Sequence, residues 1–223
     1  MKKILNKRLQ TISAFIEEND VVLDVGCDHS LLGIYLVLNK NVKVIGSDIN
    51  TGPLQKAKDN LAKYNLKNVI ELRLGDGLSV MSNDVSTIVI SGMGGASIIN
   101  ILKDIKKYPS IKKLIISPNN DFQLIRKEIS KLGFSITKEE MVLESGKYYL
   151  VSEFELGNKK VNYFFGKLDL NNQTVKKYYQ YVYDTNLKIL SKLPDNEFLR
   201  KKRIIKENNK IEKYLKAKFL HNL

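Results

Sequence analysis

Four short segments of this chain carry side chains that suit one kind of ligand. Asp24-Val25-Gly26-Cys27-Asp28-His29-Ser30 sets carboxylates on either side of a glycine, and Asp48-Ile49, Asp76-Gly77 and Gly92-Met93-Gly94-Gly95 follow it. Glycine is needed where backbone must lie against a bound group, because a Cβ would collide. A dinucleotide-binding turn would place glycines at 26, 28 and 30, and this one has only Gly26. Asp28 would also repel a pyrophosphate seated at a helix N-terminus. The acidic set fits instead a ligand that is cationic and carries a vicinal diol. A carboxylate has two oxygens, so Asp48 can accept both hydroxyls of a ribose. One aspartate after a strand, or one glycine cluster, is by itself an ordinary turn. Recurrence of the pattern in order along the chain marks a site.

Each segment follows a short apolar run. Runs at 21–25, 42–48, 69–74, 86–91 and 113–117 read as strands, and amphipathic stretches at 29–38, 54–64, 96–106 and 122–132 read as helices. Continuous apolar strands alternating with helices predict a parallel sheet covered on both faces. Ligands in such sheets bind at the carboxyl ends of the strands, where all four segments fall. Runs at 135–143 and 147–156, with Gly146 between them, predict an antiparallel hairpin at the sheet edge. Leu5, Leu9, Ile12 and Ile16 form one helical stripe ahead of the sheet. The fold expected is a Rossmann-like α/β sheet, mostly parallel with an antiparallel edge.

The end of the chain changes character. Val175, Tyr179, Val182, Asn186, Ile189 and Leu193 make one helical seam, and Ile204, Asn208, Ile211, Leu215 and Phe219 make another. Pro194-Asp195-Asn196 breaks the pattern between them, with Asp195 in a position to cap the second helix. Folded about that turn, Val175 meets Phe219, Tyr179 meets Leu215, Val182 meets Ile211, Asn186 meets Asn208 and Ile189 meets Ile204. An antiparallel helical hairpin is expected, with an asparagine pair fixing its register. The predicted division is a sheet domain over 1–158 and a basic hairpin over 159–223.

Charge follows the same division. The chain has 223 residues, with 37 Lys and Arg against 24 Asp and Glu. Residues 159–223 hold 16 basic and 6 acidic side chains, so +10 of the total +13 lies there. A field of this sign attracts polyanions, nucleic acid first among them. Hydrophobic residues make up 43%, enough for a core, yet no run approaches the roughly 20 apolar residues that span a bilayer. The basic start lacks the apolar stretch of a signal peptide. One cysteine, Cys27, excludes an internal disulfide, and one cysteine with two histidines gives no zinc cluster of the usual spacing. A cytoplasmic protein with no membrane or metal is expected, monomeric because the tail seam closes on itself.

S-adenosyl-L-methionine has the required chemistry: a sulfonium, an ammonium, a ribose diol and no phosphate. Asp24 would bind the ammonium, Asp48 the ribose, and Asp76 the adenine amine, with Gly77 keeping that loop close. Gly92, Met93 and Gly94 would flank the reacting methyl group, with Met93 on the adenine ring; Gly26, Cys27 and Ile49 complete the lining. Cys27 reads as packing.

The chain also resembles the bacterial tRNA (adenine-22-N1)-methyltransferases, the TrmK family, over essentially its whole length. The resemblance rests on Arg8-Leu9, Asp24 to His29, Gly75-Asp76-Gly77-Leu78, Ser91 to Gly95, Ser117-Pro118-Asn119 and the basic tail. Leu32-Gly33 and Ser117 depart from the family's usual aromatic-Pro and Gln. The resemblance implies methyl transfer to N1 of adenine 22 in tRNA, on a base that is unpaired or flipped out. N1 methylation makes the ring cationic until N6 loses a proton, and a carboxylate there would stabilise that charge. Asp28 is the candidate, with capping of the next helix as its structural alternative. His29 assists, binds RNA or simply starts the helix; Asn119 reads the adenine edge or makes a turn. Arg8, Lys176, Lys177, Arg200, Lys201, Lys202, Arg203 and Lys206 are the candidate RNA contacts, with Tyr178, Tyr181 and Tyr183 available for stacking. Two alternatives stand beside this: methylation of another RNA or DNA base or a small molecule, and a non-catalytic RNA-binding protein on the same fold.

Overall fold

The structure, a computed structural model, describes residues 5–219, with side chains through residue 215. The chain divides into two compact units, one ending at Leu168 and one beginning at Asp169.

The first unit is a seven-stranded sheet in the order β3-β2-β1-β4-β5-β7-β6. Its strands are β1 (Val21–Val25), β2 (Lys43–Asp48), β3 (Glu71–Leu74), β4 (Thr87–Ser91), β5 (Lys113–Ser117), β6 (Phe134–Glu144) and β7 (Lys147–Leu156). The first five are parallel, and β7 runs antiparallel to β5 and β6. Alternation along the strands sends residues to two cores. Leu23, Ile88, Ile90, Leu114 and Ile116 meet α4 (Gly95–Leu102) and α5 (Phe122–Lys131) on one face. Val22, Val44, Val89 and Ile115 meet α1 (Lys7–Phe15), α2 (Leu31–Asn39) and α3 (Thr51–Lys63) on the other. Most of these strand side chains have no solvent exposure; truncating one such isoleucine to alanine would cost about 2–5 kcal/mol.

The strand order reverses between β1 and β4. That switch point leaves a crevice at the carboxyl edge between their two following loops. The β6–β7 hairpin closes through Ser145 and Gly146, both at positive φ, the conformation that a two-residue turn matching strand twist requires. β7 pairs with β5 only through residues 152–155, so the start of β7 runs past the carboxyl end of β5. The hairpin tip therefore stands beside the crevice.

Some element boundaries differ from the sequence reading. Helix α2 begins at Leu31, because Asp28 and Ser30 take left-handed conformations and leave His29 in the turn. Helix α4 stops at Leu102, and a separate 3-10 turn, Ile105–Lys107, follows. Residues 159–168 belong to the first unit, ten residues beyond the compositional boundary. Buried Arg126 explains this: its Nε donates to Glu139 (2.9 Å) and its Nη1 to the carbonyls of Tyr163 and Phe164. Glu139 also accepts from Ser152 Oγ and from the backbone N–H of Lys167. Gly166, at φ +63°, leaves no room for a Cβ beside this pair.

The second unit is a helical pair, α6 (Gln173–Leu190) and α7 (Phe198–Phe219). Asn172 caps α6, accepting from Thr174 N. Asn186 Nδ2 donates to Asn208 Oδ1 at 2.9 Å, and both residues are buried. That is the expected asparagine pair. Tyr179 is buried with Tyr214, edge to face at 5.6 Å, so Tyr214 shares the seam position read as Leu215. The Tyr214 hydroxyl donates to the carbonyl of Leu170, which draws it inward. The pairing of Val175 with the Phe219 side chain lies outside the described residues. Asp195 is not the cap of α7. A turn closed by Glu197 N on Pro194 O delays the helix to Phe198, and Asp195 accepts from Lys201 Nζ instead. No described helix is long and apolar enough to cross a membrane.

Candidate active site

The crevice is built by four loops that leave the carboxyl ends of adjacent strands. After β1, the N–H groups of Gly26 and Cys27 both donate to Ser47 O, pinning this turn to the end of β2. Gly26 sits at φ +72°, and a Cβ on it would lie 2.3 Å from Met93 Cε. The first and fourth loops therefore touch across the switch point, with glycine as the contact. After β2, Asp48 Oδ1 accepts from Asn50 N at 2.9 Å, which orients the carboxylate and leaves its other lone pairs open. Asp48 O accepts from Gly75 N, tying in the third loop, where Asp76 is exposed and Gly77 takes φ +52°.

The fourth loop is held by the fifth. Gly92 N donates to Ser117 O, Asn119 N to Met93 O, and Asn119 Nδ2 to Gly92 O at 2.7 Å. Gly95 N donates to Asn120 Oδ1, so Asn120 caps the start of α4 from a distant strand end. On the far side of Gly92 lies the Arg8 guanidinium, 3.5 Å from where a Cβ would stand.

Asp24 is the electrostatic centre. It is 5% exposed, and burial pushes its carboxyl up to about 7. Among the described residues its carboxylate has no ion-pair partner. A buried carboxylate without a counter-charge is costly, and a cationic ligand would remove that cost. Burial also pushes the Cys27 thiol far up, with Asp24 and Asp48 adding to it, so Cys27 stays a neutral packing group. Asp28 is exposed and its neighbour His29 half-buried, with His29 Nε2 3.6 Å from Asp28 Oδ2. These features fit a sulfonium- and ammonium-bearing nucleoside: a dry carboxylate for the cation, an oriented one for a diol, and turns without Cβ atoms for close approach. Among the described residues no cluster suits a metal ion.

A family model described as a methyltransferase domain matches residues 5–152. A Bacillus subtilis (strain 168) protein named tRNA (adenine(22)-N(1))-methyltransferase is 37% identical over 162 residues, 71% of this chain and 68% of that one. This chain belongs to the TrmK family of methyltransferases. Solved relatives extend the likeness over the whole TrmK-family fold. The M. capricolum TrmK structure with S-adenosyl-homocysteine superposes at a TM-score of 0.80, 25% identical, over 96% of this chain and 97% of that one. A Streptococcus pneumoniae protein solved with S-adenosyl-L-methionine superposes at 0.86, 29% identical, over 95% and 99%.

In this TrmK-family chain the residues read as cofactor contacts lie on these four loops (Gly26, Cys27, Ile49, Asp76, Gly77, Gly92, Met93 and Gly94) or in the last two residues of the strands that lead into them (Asp24 and Asp48). Asp28, His29 and Asn119 lie on the first and fifth loops. Asp28 makes no cap to α2, whose cap position is Ser30. Asn119 has part of its amide committed to Gly92 O, which limits what it can offer a base. Arg8 lies against the site in the first unit, whereas the tail cations with which the sequence grouped it belong to the second. In the second unit Lys177, Arg200, Lys202, Arg203 and Lys206 are exposed; Lys176 is half-buried, and Lys201 is engaged with Asp195. Sequence reasoning missed Asn120 and Tyr149. Only a distant strand pairing brings either to the crevice.

Proposed function

We propose that this chain transfers the methyl group of S-adenosyl-L-methionine to N1 of adenine 22 in tRNA. One observation carries the reading. A chain 37% identical over 162 residues to the Bacillus subtilis enzyme has, at the carboxyl edge of its sheet, the acidic and glycine-rich turns that such a donor needs.

The cofactor, when bound, supplies an activated methyl on a sulfonium. The protein's part is to bind, orient and desolvate. Asp24 receives the ammonium and becomes an ion pair. Asp48, fixed by Asn50 N, accepts the ribose hydroxyls. Asp76 accepts from the adenine amine, and Met93 packs on that ring. Asp28 accepts the N6 hydrogen of the target adenine and offsets the charge that N1 acquires. His29, beside it, can carry the proton onward to solvent. Asn119, anchored on Gly92, presents its remaining amide atoms to the target base. The helical unit holds tRNA through phosphate contacts from Lys176, Lys177, Arg200, Lys202, Arg203 and Lys206, and the chain works as a cytoplasmic monomer.

The test is labelled methyl transfer to bulk tRNA and to DNA, followed by mass spectrometry of the tRNA digest. 1-Methyladenosine at position 22 is the expected product. Transfer to DNA alone, or to another tRNA position, overturns the reading.

A further inference from the structure

Arg8 is the cation against the methyl-transfer turn, and its setting is unusual for a surface arginine. Its Cζ lies 4.9 Å from the centroid of the Tyr149 ring, on the part of β7 that overhangs β5. Its Nη1 and Nη2 lie 3.5 and 3.7 Å from the Cβ position of Gly92. Its Nε is buried and has no acceptor, and among the described residues Arg8 forms no ion pair. The backbone beneath it is fixed as well: Asn6 caps α1 by accepting from Leu9 N, and Lys7 N donates to Glu144 at the hairpin tip. Gly92, at φ +78°, keeps its face open to the guanidinium.

We infer that the Arg8–Tyr149 pair is a preformed oxyanion seat at the acceptor end of the cofactor crevice. An arginine resting over an aromatic ring and against a backbone turn has its donor fork confined, and the fork matches two oxygens of a carboxylate or phosphate. The rest of the crevice presents Asp24, Asp48 and Asp76, so among the described residues an anionic group on a ligand finds its counter-charge on the Arg8 side. Two sources supply such a group: the α-carboxylate of the cofactor and the phosphate of the extruded nucleotide. This inference rests on the methyltransferase reading, and its test separates the two.

Arg8→Met and Tyr149→Ala are compared with wild type in three measurements. The first is calorimetry with S-adenosylhomocysteine and with its decarboxylated analogue. The second is KM and kcat for tRNA, and the third is thermal unfolding. A charge-assisted pair of this kind corresponds to a loss of about tenfold or more in affinity. If the cofactor carboxylate is the ligand, Arg8→Met weakens S-adenosylhomocysteine by that factor and leaves the decarboxylated analogue unchanged. If the nucleotide phosphate is the ligand, S-adenosylhomocysteine binds as in wild type and KM for tRNA rises by that factor. Arg8→Lys recovers only part of either loss, because an ammonium offers no two-pronged donor fork. Unchanged cofactor affinity together with unchanged tRNA KM in a folded Arg8→Met protein overturns the inference, as does full rescue by Arg8→Lys. Wild-type protein that binds S-adenosylhomocysteine but methylates no tRNA would sink the functional reading and leave the carboxylate arm standing.

Discussion

Replacing Asp24 with asparagine should make the ligand-free protein more stable at pH 8 and weaken its hold on the cofactor. Burial raises the Asp24 carboxyl from the ordinary 3.8 to about 7. At pH 8 the group is ionised in both folded and unfolded chains, and that difference corresponds to about 4 kcal/mol of lost stability. A carboxamide removes the charge but leaves its own buried polar atoms short of partners, at about 1–3 kcal/mol. The net gain at pH 8 is about 1–3 kcal/mol. A carboxyl whose folded pKa lies above its unfolded one takes up a proton on folding between those two values. Native stability of the wild type therefore falls as pH rises from about 4 to 7 and levels off above. At pH 5 the wild-type penalty is smaller by about 2–3 kcal/mol, so the advantage of asparagine disappears there. Thermal unfolding reads this directly: the variant should melt about 3–10 °C higher at pH 8 and no higher at pH 5. Calorimetry with S-adenosylhomocysteine should show affinity down by about tenfold or more, because an amide cannot neutralise an ammonium. A variant that gains nothing at pH 8 and still binds S-adenosylhomocysteine like wild type refutes the argument.

Related outcomes follow from the same geometry. Wild-type affinity for S-adenosylhomocysteine should be about tenfold weaker at pH 6 than at pH 8, because the ammonium needs Asp24 ionised and its carboxyl titrates near 7; calorimetry across that range measures it. Gly26→Ala should fold yet lose cofactor affinity by about tenfold or more, since its Cβ displaces Met93 and its φ of +72° adds about 1–2 kcal/mol of strain. Asp28→Ala should keep S-adenosylhomocysteine affinity within about twofold while kcat falls by roughly a hundredfold, the usual scale for a lost proton-handling group. Asn186→Ala strands the Asn208 amide in the helical seam, and should cost about 1–3 kcal/mol, read as faster amide exchange in α6 and α7 but not in the sheet.

The strands and the crevice were legible because their determinants are local. Apolar runs such as 86–91 and 113–117 can hide only in a sheet covered on both faces, and the site residues sit at the ends of those runs. The asparagine pair was legible for a related reason, since helical periodicity fixes which residues meet once the turn is placed. What was not legible depends on contacts across the chain. Nothing near Arg126 announces that it will meet Glu139 and draw residues 159–168 into the first unit, moving the boundary from composition's choice to Leu168. Tyr149 reads as one more residue of an edge strand until the short register with β5 leaves it overhanging the crevice. Asp195 satisfied the local rule for a helix cap, and a turn through Pro194 moved the helix away from it.

Buried polar atoms divide in an instructive way. Away from the crevice, Glu139 has Arg126, Ser152 and Lys167 N around it, and Lys113 meets Glu17 and Asp20. Among the described residues Arg126 Nη2 and Ser82 Oγ, away from the crevice, lack a partner, but Arg8 Nε, Ser30 Oγ and Ser117 Oγ lack one together at the carboxyl edge, where Asp24 also stands without a counter-charge. Folded proteins satisfy nearly all buried polar groups, so a local concentration of unsatisfied ones marks where the fold was shaped for something besides its own stability. The signs are opposite on the two sides, a carboxylate at the end of β1 and a guanidinium against the turn after β4. A ligand that is cationic at one point and anionic at another completes both at once. An amino-acid headgroup is the smallest group with that pattern, so if the cofactor carboxylate is the Arg8 ligand, the Arg8 and Asp24 variants fail on the same part of the same molecule.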